Sequence, residues 1–266
     1  QFLKINGKVC STDTSTSGKK LSEIIGSPLS ETTEYEIEYI VTDVAGNTNS
    51  AEKTIIVDGS KPDLSSSTVV TNSQKNNSYY NTDVEVKLVA VDSNLDQTGL
   101  TVTEQNGNPI EVNWGHSDKT WTVTLKASKE GSYNILFEAV DETGNKSTWT
   151  KSFVIDKTLP KLTTYLNGAV YTSFGDYGGS GTVQVGVVDA NEDVNDVTID
   201  IARDVPGGEK VTSTVNGKNP VAITDDGYYT INYTVIDLAG NKSTASHGFT
   251  VDNTAPVNNL YVTVAN

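Results

Sequence analysis

Carboxylates recur at matched positions along this 266-residue chain and are its one concentrated source of reactive groups. Asp92 and Asp96 lie in the segment DSNLD, and Asp189 and Asp193 lie in DANED. Asp43, Asp141 and Asp237 each open an Asp-x-x-Gly-Asn segment: DVAGN, DETGN and DLAGN. Asp58, Asp156 and Asp252 each stand four residues before a proline. Hard oxygen donors of this kind suit Ca2+, which takes about six to eight of them. A second reading needs no ion: aspartate in a turn caps its own backbone, and acidic loops are usually solvated. Asp189, Asn191 and Asp193 have the first spacing of an EF-hand loop, but its glycine and distal glutamate are missing.

The rest of the composition narrows the chemistry. There are 34 acidic and 19 basic residues, a formal charge of −15, so the basic footprint of a nucleic-acid binder is lacking. One cysteine, Cys10, permits neither an intrachain disulfide nor a thiolate cluster. His116, in a loop beside Trp114, and His247, entering a strand, have no triad partner at recognisable spacing and are read as solvent-facing. Arg203 is the one arginine. Three tryptophans, Trp114, Trp121 and Trp149, are either core fillers or a sugar-stacking platform. No apolar run approaches the ~20 residues of a membrane helix, so no membrane insertion is expected.

These groups are positioned by a repeat. Tyr35–Pro62, Tyr133–Pro160 and Tyr229–Pro256 align without a gap, with offsets of 98 and 96 residues between their tyrosines. Each begins with alternating apolar residues, as in Tyr229, Ile231, Tyr233 and Val235, the period of a strand with one face in a core. Asp-x-x-Gly-Asn then makes a tight turn, and a second strand follows: 54–57, 152–155 and 248–251. Upstream, strands are predicted over 83–91, 100–104, 110–112 and 120–125, and again over 182–188, 197–202, 210–214 and 221–224. A first strand near 68–71 or 162–166 completes about seven per unit, enough for two packed sheets. The expected domains are 1–60, 61–158 and 159–254, with 255–266 opening a further domain or linker. The first is shorter and is read as lacking its first two strands.

Asp-x-x-Gly-Asn, a strand, then Val-Asp-x-Thr-x-Pro resembles the closing hairpin of bacterial immunoglobulin-like domains, which recur in tandem in Gram-positive surface proteins and in the non-catalytic parts of large secreted enzymes. The linkers Gly59-Ser60-Lys61 and Lys157-Thr158-Leu159 depart from that pattern. The resemblance implies an all-β fold of tandem immunoglobulin-like β-sandwiches. The tyrosine opening the penultimate strand would stand at the tyrosine corner. In that topology the B–C and F–G loops share the end at which the previous domain enters. Asp92, Asp96 and Asp141 would then approach Asp58, and Asp189, Asp193 and Asp237 would approach Asp156. The functional expectation is a non-catalytic, extracellular spacer or stalk, stiffened by calcium at the domain junctions. Its partners would be neighbouring domains of a longer chain, with no nucleic acid. The alternative is an adhesin or carbohydrate-binding module that meets a host or cell-wall glycan or protein through Trp114, Trp121 and Trp149.

Overall fold

The computed structural model describes residues 2–11, 33–73, 78–104, 109–172, 175–176, 178–193 and 196–258. Among these residues the elements are β-strands apart from one 3-10 turn, Gln97–Gly99. The all-β expectation holds, and the strands build immunoglobulin-like sandwiches in tandem. Contacts divide the chain into two compact units. One comprises Gln1–Val70, Glu85–Lys126 and Asn134–Lys151; the other comprises Thr71–Val84, Ala127–Tyr133 and Ser152–Asn266.

In the first unit, the hairpin Thr33–Thr42 and Thr48–Val57 is antiparallel from Thr33↔Val57 to Thr42↔Thr48. Its second strand starts at Thr48, well before 54; residues 48–53 are exposed and show no apolar period that would reveal this in the sequence. The ladder to the partner strand, not burial, holds them. Phe2–Ile5 pairs with the first hairpin strand, and Lys8–Ser11 completes a four-stranded sheet. Farther along, Val86, Leu88 and Ala90 are buried while Glu85 and Lys87 face solvent. Leu100–Thr103 pairs antiparallel with Leu136–Ala139, placing Val102 and Phe137 at 2% and 0% exposure. Each fully buried side chain of this size contributes about 1.5–3 kcal/mol. The strand predicted over 110–112 is absent. Pro109 forms only an isolated bridge with Thr103, and Ile110 donates one backbone bond to Val102; proline has no N–H with which to extend a ladder.

The second unit contains the third repeat entire. One sheet runs Ala169–Val170, Lys161–Leu166, Gly181–Val188, Val221–Ile223. The other runs Gly175–Asp176, Lys242–Val251, Gly227–Ile236, Val197–Asp204, Val211–Asn216. The alternation read from sequence sets the inner face: Tyr229, Ile231, Tyr233 and Val235 are all buried, meeting Val183, Val185, Ile199 and Phe249 in one core. Burial pushes the Tyr233 phenol up to about 12. Tyr229 donates its hydroxyl to the carbonyl of Asp225 at 2.9 Å, and Tyr133 does the same to Lys129 at 2.9 Å. Both are tyrosine corners.

Candidate metal centre

Each carboxylate group is assembled by three local structures: a linker, the loop after strand B (Val84–Val91 in one repeat, Gly181–Val188 in the next) and the hairpin turn. The turn is the same in all three repeats. Asp43, Asp141 and Asp237 each accept the backbone N–H of the asparagine four residues on, at 2.9, 2.9 and 2.8 Å, and its side-chain amide at 2.8 Å. The intervening glycines take φ of 89, 91 and 91°, which a side chain would resist. Turn capping is therefore intrinsic to the motif. Among the described residues, carboxylates converge at the second and third copies.

In the first group, single carboxylate oxygens of Asp58, Asp92 and Asp141 lie within 4.8 Å of one another. Asp92 leaves strand Val84–Val91 and accepts Asn94 N–H at 2.7 Å. Asn94 then turns its amide to Asp58 Oδ2 at 2.6 Å, and Asn145 donates to the Asp58 carbonyl at 3.0 Å. The second group repeats this with Asp156, Asp189 and Asp237, also within 4.8 Å. Asn191 donates to Asp156 Oδ2 at 2.6 Å and Asn241 to the Asp156 carbonyl at 2.9 Å. The loops are locked by Glu142 N–H to Asn94 O at 2.8 Å and Leu238 N–H to Asn191 O at 2.9 Å. Asp141, Asp156 and Asp237 are only 5%, 6% and 0% exposed.

Electrostatics differ within a group. Burial, followed by the charges of Asp141 and Asp58, pushes the Asp92 carboxyl above the usual range. Burial and then Asp156, Asp237 and Glu192 do the same to Asp189. Asp58 is held low by the Ser60 hydroxyl and the Asn94 amide. Burial works against ionisation of Asp141, but the hydrogen bonds from Asn145 and Thr143 outweigh it and its pKa is lowered. A hydrogen-bonded carboxylate beside a desolvated one is a charge distribution that a bound cation would relieve.

Asp96 and Asp193 lie outside both groups, among the described residues. Asp96 caps the 3-10 turn instead, accepting Thr98 N–H at 2.7 Å, its hydroxyl at 2.6 Å and Gly99 N–H at 3.3 Å. The Asp193 carbonyl accepts Asp196 N–H at 3.1 Å. Asn94 and Asn191, not the second aspartate, are what reach the linker. They were legible as the midpoints of two aligned loops, but no carboxylate marked them. The side-chain amides of Asn145 and Asn241 are occupied by bonds to the linker and to the turn aspartate.

The tryptophans do not share one surface role. Trp114 is half-buried and stacks on Phe137 at 5.3 Å. Trp121 donates to Leu95 O at 3.1 Å and stacks on His116 at 4.1 Å, which places His116 on a strand, Gly115–Ser117, rather than a loop. Trp149 is half-buried on strand Lys146–Ile155. Trp114 alone of the three lines a groove of about 510 Å³, with Leu100, Val102, Ile110, Glu111 and Asn113 among its other walls. His247 corrects the sequence reading: it is 8% exposed, not solvent-facing, because it shares strand parity with buried Phe249 and Val251.

Several solved structures align with the chain at low similarity. Dimeric latent PorU from Porphyromonas gingivalis aligns at 14% identity and TM-score 0.32, over 82% of this chain and 24% of that one. Fibronectin(III)-like modules of Clostridium thermocellum CbhA align at 13% and 0.36, over 73% and 100%. A tetra-tandem repeat from the extending region of a large adhesion protein aligns at 18% and 0.35, over 82% and 56%. The chain thus spans about a quarter of the PorU structure and about half of the adhesion-protein repeat. Among curated proteins it matches none. The bacterial Ig-like domain profile matches residues 14–59, 61–157 and 171–253, most of the chain, and with its repeated hairpins and sandwich sheets the protein belongs to the bacterial Ig-like domain family.

Proposed function

We propose that the chain is a non-catalytic spacer of Ig-like repeats in a bacterial surface or secreted protein, with calcium stiffening the junctions between repeats. The domains in this reading are 1–60, 61–158 and 159–254. One observation carries this reading: the same three carboxylates, with the same asparagine contacts, gather twice where a linker aspartate meets the loops of the repeat that follows it. Asp58, Asp92 and Asp141 would hold one cation, and Asp156, Asp189 and Asp237 the other. The donors are all oxygen, which fits a hard cation and not zinc. Bound calcium would offset carboxylate repulsion and remove bending freedom from the linker. The working location is outside the cell, and the partners are flanking domains of the same longer protein.

Calorimetric titration with calcium, with melting followed in calcium and in chelator, tests the reading. Two sites are expected, each contributing a stabilisation of about 2.7 kcal/mol at a hundredfold excess over its Kd. Asp92→Asn and Asp189→Asn should each remove one site, because asparagine keeps the acceptor for the loop N–H but not the charge. Melting that ignores calcium and chelator alike would reject it.

The Trp114 groove favours a second reading, an adhesin or glycan-binding module. Its tryptophan, apolar floor and flanking Glu111 and Asn113 suit a sugar ring. Glycan-array binding lost in Trp114→Ala would support it; an array with no signal for the parent chain would remove it.

A further inference from the structure

Glu130 and Asp226 occupy one position in two repeats, three residues before the corner tyrosines Tyr133 and Tyr229. Glu130 accepts the backbone N–H of Lys157 at 2.6 Å and the Thr158 hydroxyl at 3.1 Å. Asp226 accepts the backbone N–H of Asn253 at 2.7 Å and the Thr254 hydroxyl at 2.7 Å. Both acids therefore grip an outgoing linker by the same two groups: the N–H just after the linker aspartate and the hydroxyl one residue later. Side chains reinforce each grip. Lys157 Nζ reaches Asp83 and the Ser128 carbonyl, each at 2.7 Å, while Asn253 Nδ2 reaches the Thr224 carbonyl at 2.8 Å.

We propose that Glu130 and Asp226 are positioning residues that fix the direction of the linker aspartates Asp156 and Asp252 from the repeat the linker leaves. The cause is layered. Each tyrosine corner anchors the carbonyl next to the acid, the acid then holds the linker through charge-assisted bonds, and the linker aspartate closes its own turn onto Thr158 N–H at 3.0 Å or Thr254 N–H at 2.9 Å. Asp156 is thereby ordered independently of its contacts with the following repeat. For cation affinity at Asp156 the inference rests on the calcium reading above: ordering a ligand beforehand leaves less entropy to lose on binding. At the first hairpin the aligned position, three before Tyr35, is Thr32 rather than an acid.

The test compares Glu130→Ala and Glu130→Gln in the full chain. Glu130 is exposed, so the sandwich core is untouched. In chelator, amide hydrogen exchange at Lys157 should rise about tenfold in E130A and less in E130Q, which keeps an acceptor oxygen. In calcium, affinity at the Asp156 group should fall about three- to tenfold in E130A, with the Asp58 group unchanged. If the parent chain binds no calcium, the cation reading fails while the exchange measurement still decides the clamp. Lys157 exchange unaltered in E130A overturns the proposal, and so does equal weakening at both calcium sites.

Discussion

The side-chain amide of Asn94 donates to Asp58 Oδ2 at 2.6 Å, and Asn191 stands in the same relation to Asp156. This contact ties the loop after strand B to the preceding linker through a charged acceptor, and both partners are half-buried. Asn94→Ala removes the donor and leaves Asp58 beside Asp92 and Asp141 with the Ser60 hydroxyl as its one remaining side-chain donor among those that hold its carboxyl low. The expected loss is about 1–2 kcal/mol in chelator, read by denaturant unfolding. Asn94→Asp should cost at least as much in chelator, because it adds a fourth carboxylate, and should recover in calcium. Equal stability of N94D in both buffers would argue against a cation there.

The two directions of pKa shift within the Asp58, Asp92 and Asp141 group predict opposing pH effects, and Asp189 follows Asp92. The unfolded Asp92 and Asp189 carboxyls titrate near the ordinary value of 3.8, and in the fold they hold their protons to higher pH. The folded state then binds more protons than the unfolded state above that value, so stability falls as pH rises from there toward neutrality. Asp58 and Asp141 are shifted down, and their contribution is lost as pH falls below 3.8. Asp92→Asn removes a repulsive, desolvated charge. In chelator at neutral pH it should stabilise the chain, with a flatter stability profile above pH 4; a destabilised variant with the parental profile would contradict the assignment.

What could be read in advance followed from periodicity and repetition. Period-two alternation identified Tyr229–Val235 as a half-buried strand, and the aligned loops placed Asp92 and Asp189 at the ends of strands. The boundaries of Thr48–Val57 escaped because polar residues held by a ladder carry no apolar period. Asp96 was grouped with Asp92 because charge alone cannot distinguish a carboxylate facing a linker from one capping a 3-10 turn. Asn94 and Asn145 escaped because an amide donor becomes functional only through whatever lies opposite it in space. His247 was recoverable: its parity with Phe249 and Val251 already placed it on the inner face.

Gly99 is a positional requirement rather than a flexible joint. A Cβ there would stand 1.9 Å from the Val140 carbonyl oxygen, one residue before Asp141. Gly99→Ala must displace either the 3-10 turn or the strand that delivers Asp141, and it should cost about 3 kcal/mol or more. Gly115→Ala is the matched control, since its Cβ meets Thr122 only at 3.5 Å and should change stability by less than about 1 kcal/mol. Chemical denaturation of both variants gives the comparison, and a tolerated G99A would mean the turn is free to move away.

His247 supplies an acid-sensitive point in the third repeat, remote in chemistry from the carboxylate groups. Its Nε2 lies 2.7 Å from Thr164 Oγ1, and that hydroxyl already donates to the Tyr171 carbonyl at 2.5 Å. A hydroxyl has one proton to give, so Nε2 carries the proton toward Thr164 and the neutral ring is the Nε2–H tautomer. Burial lowers the pKa of the ring from its ordinary 6.5. The unfolded chain therefore takes up a proton that the fold resists, and stability declines as pH falls through 6.5 toward the lower folded value. His247→Phe fills the same inner face and leaves Thr164 bonded to Tyr171. Melting temperatures from pH 7.5 to 5 should fall more steeply for the parent chain than for H247F, after the carboxylate contribution common to both. Parallel slopes would show that the buried imidazole ionises in the fold as readily as in the unfolded chain.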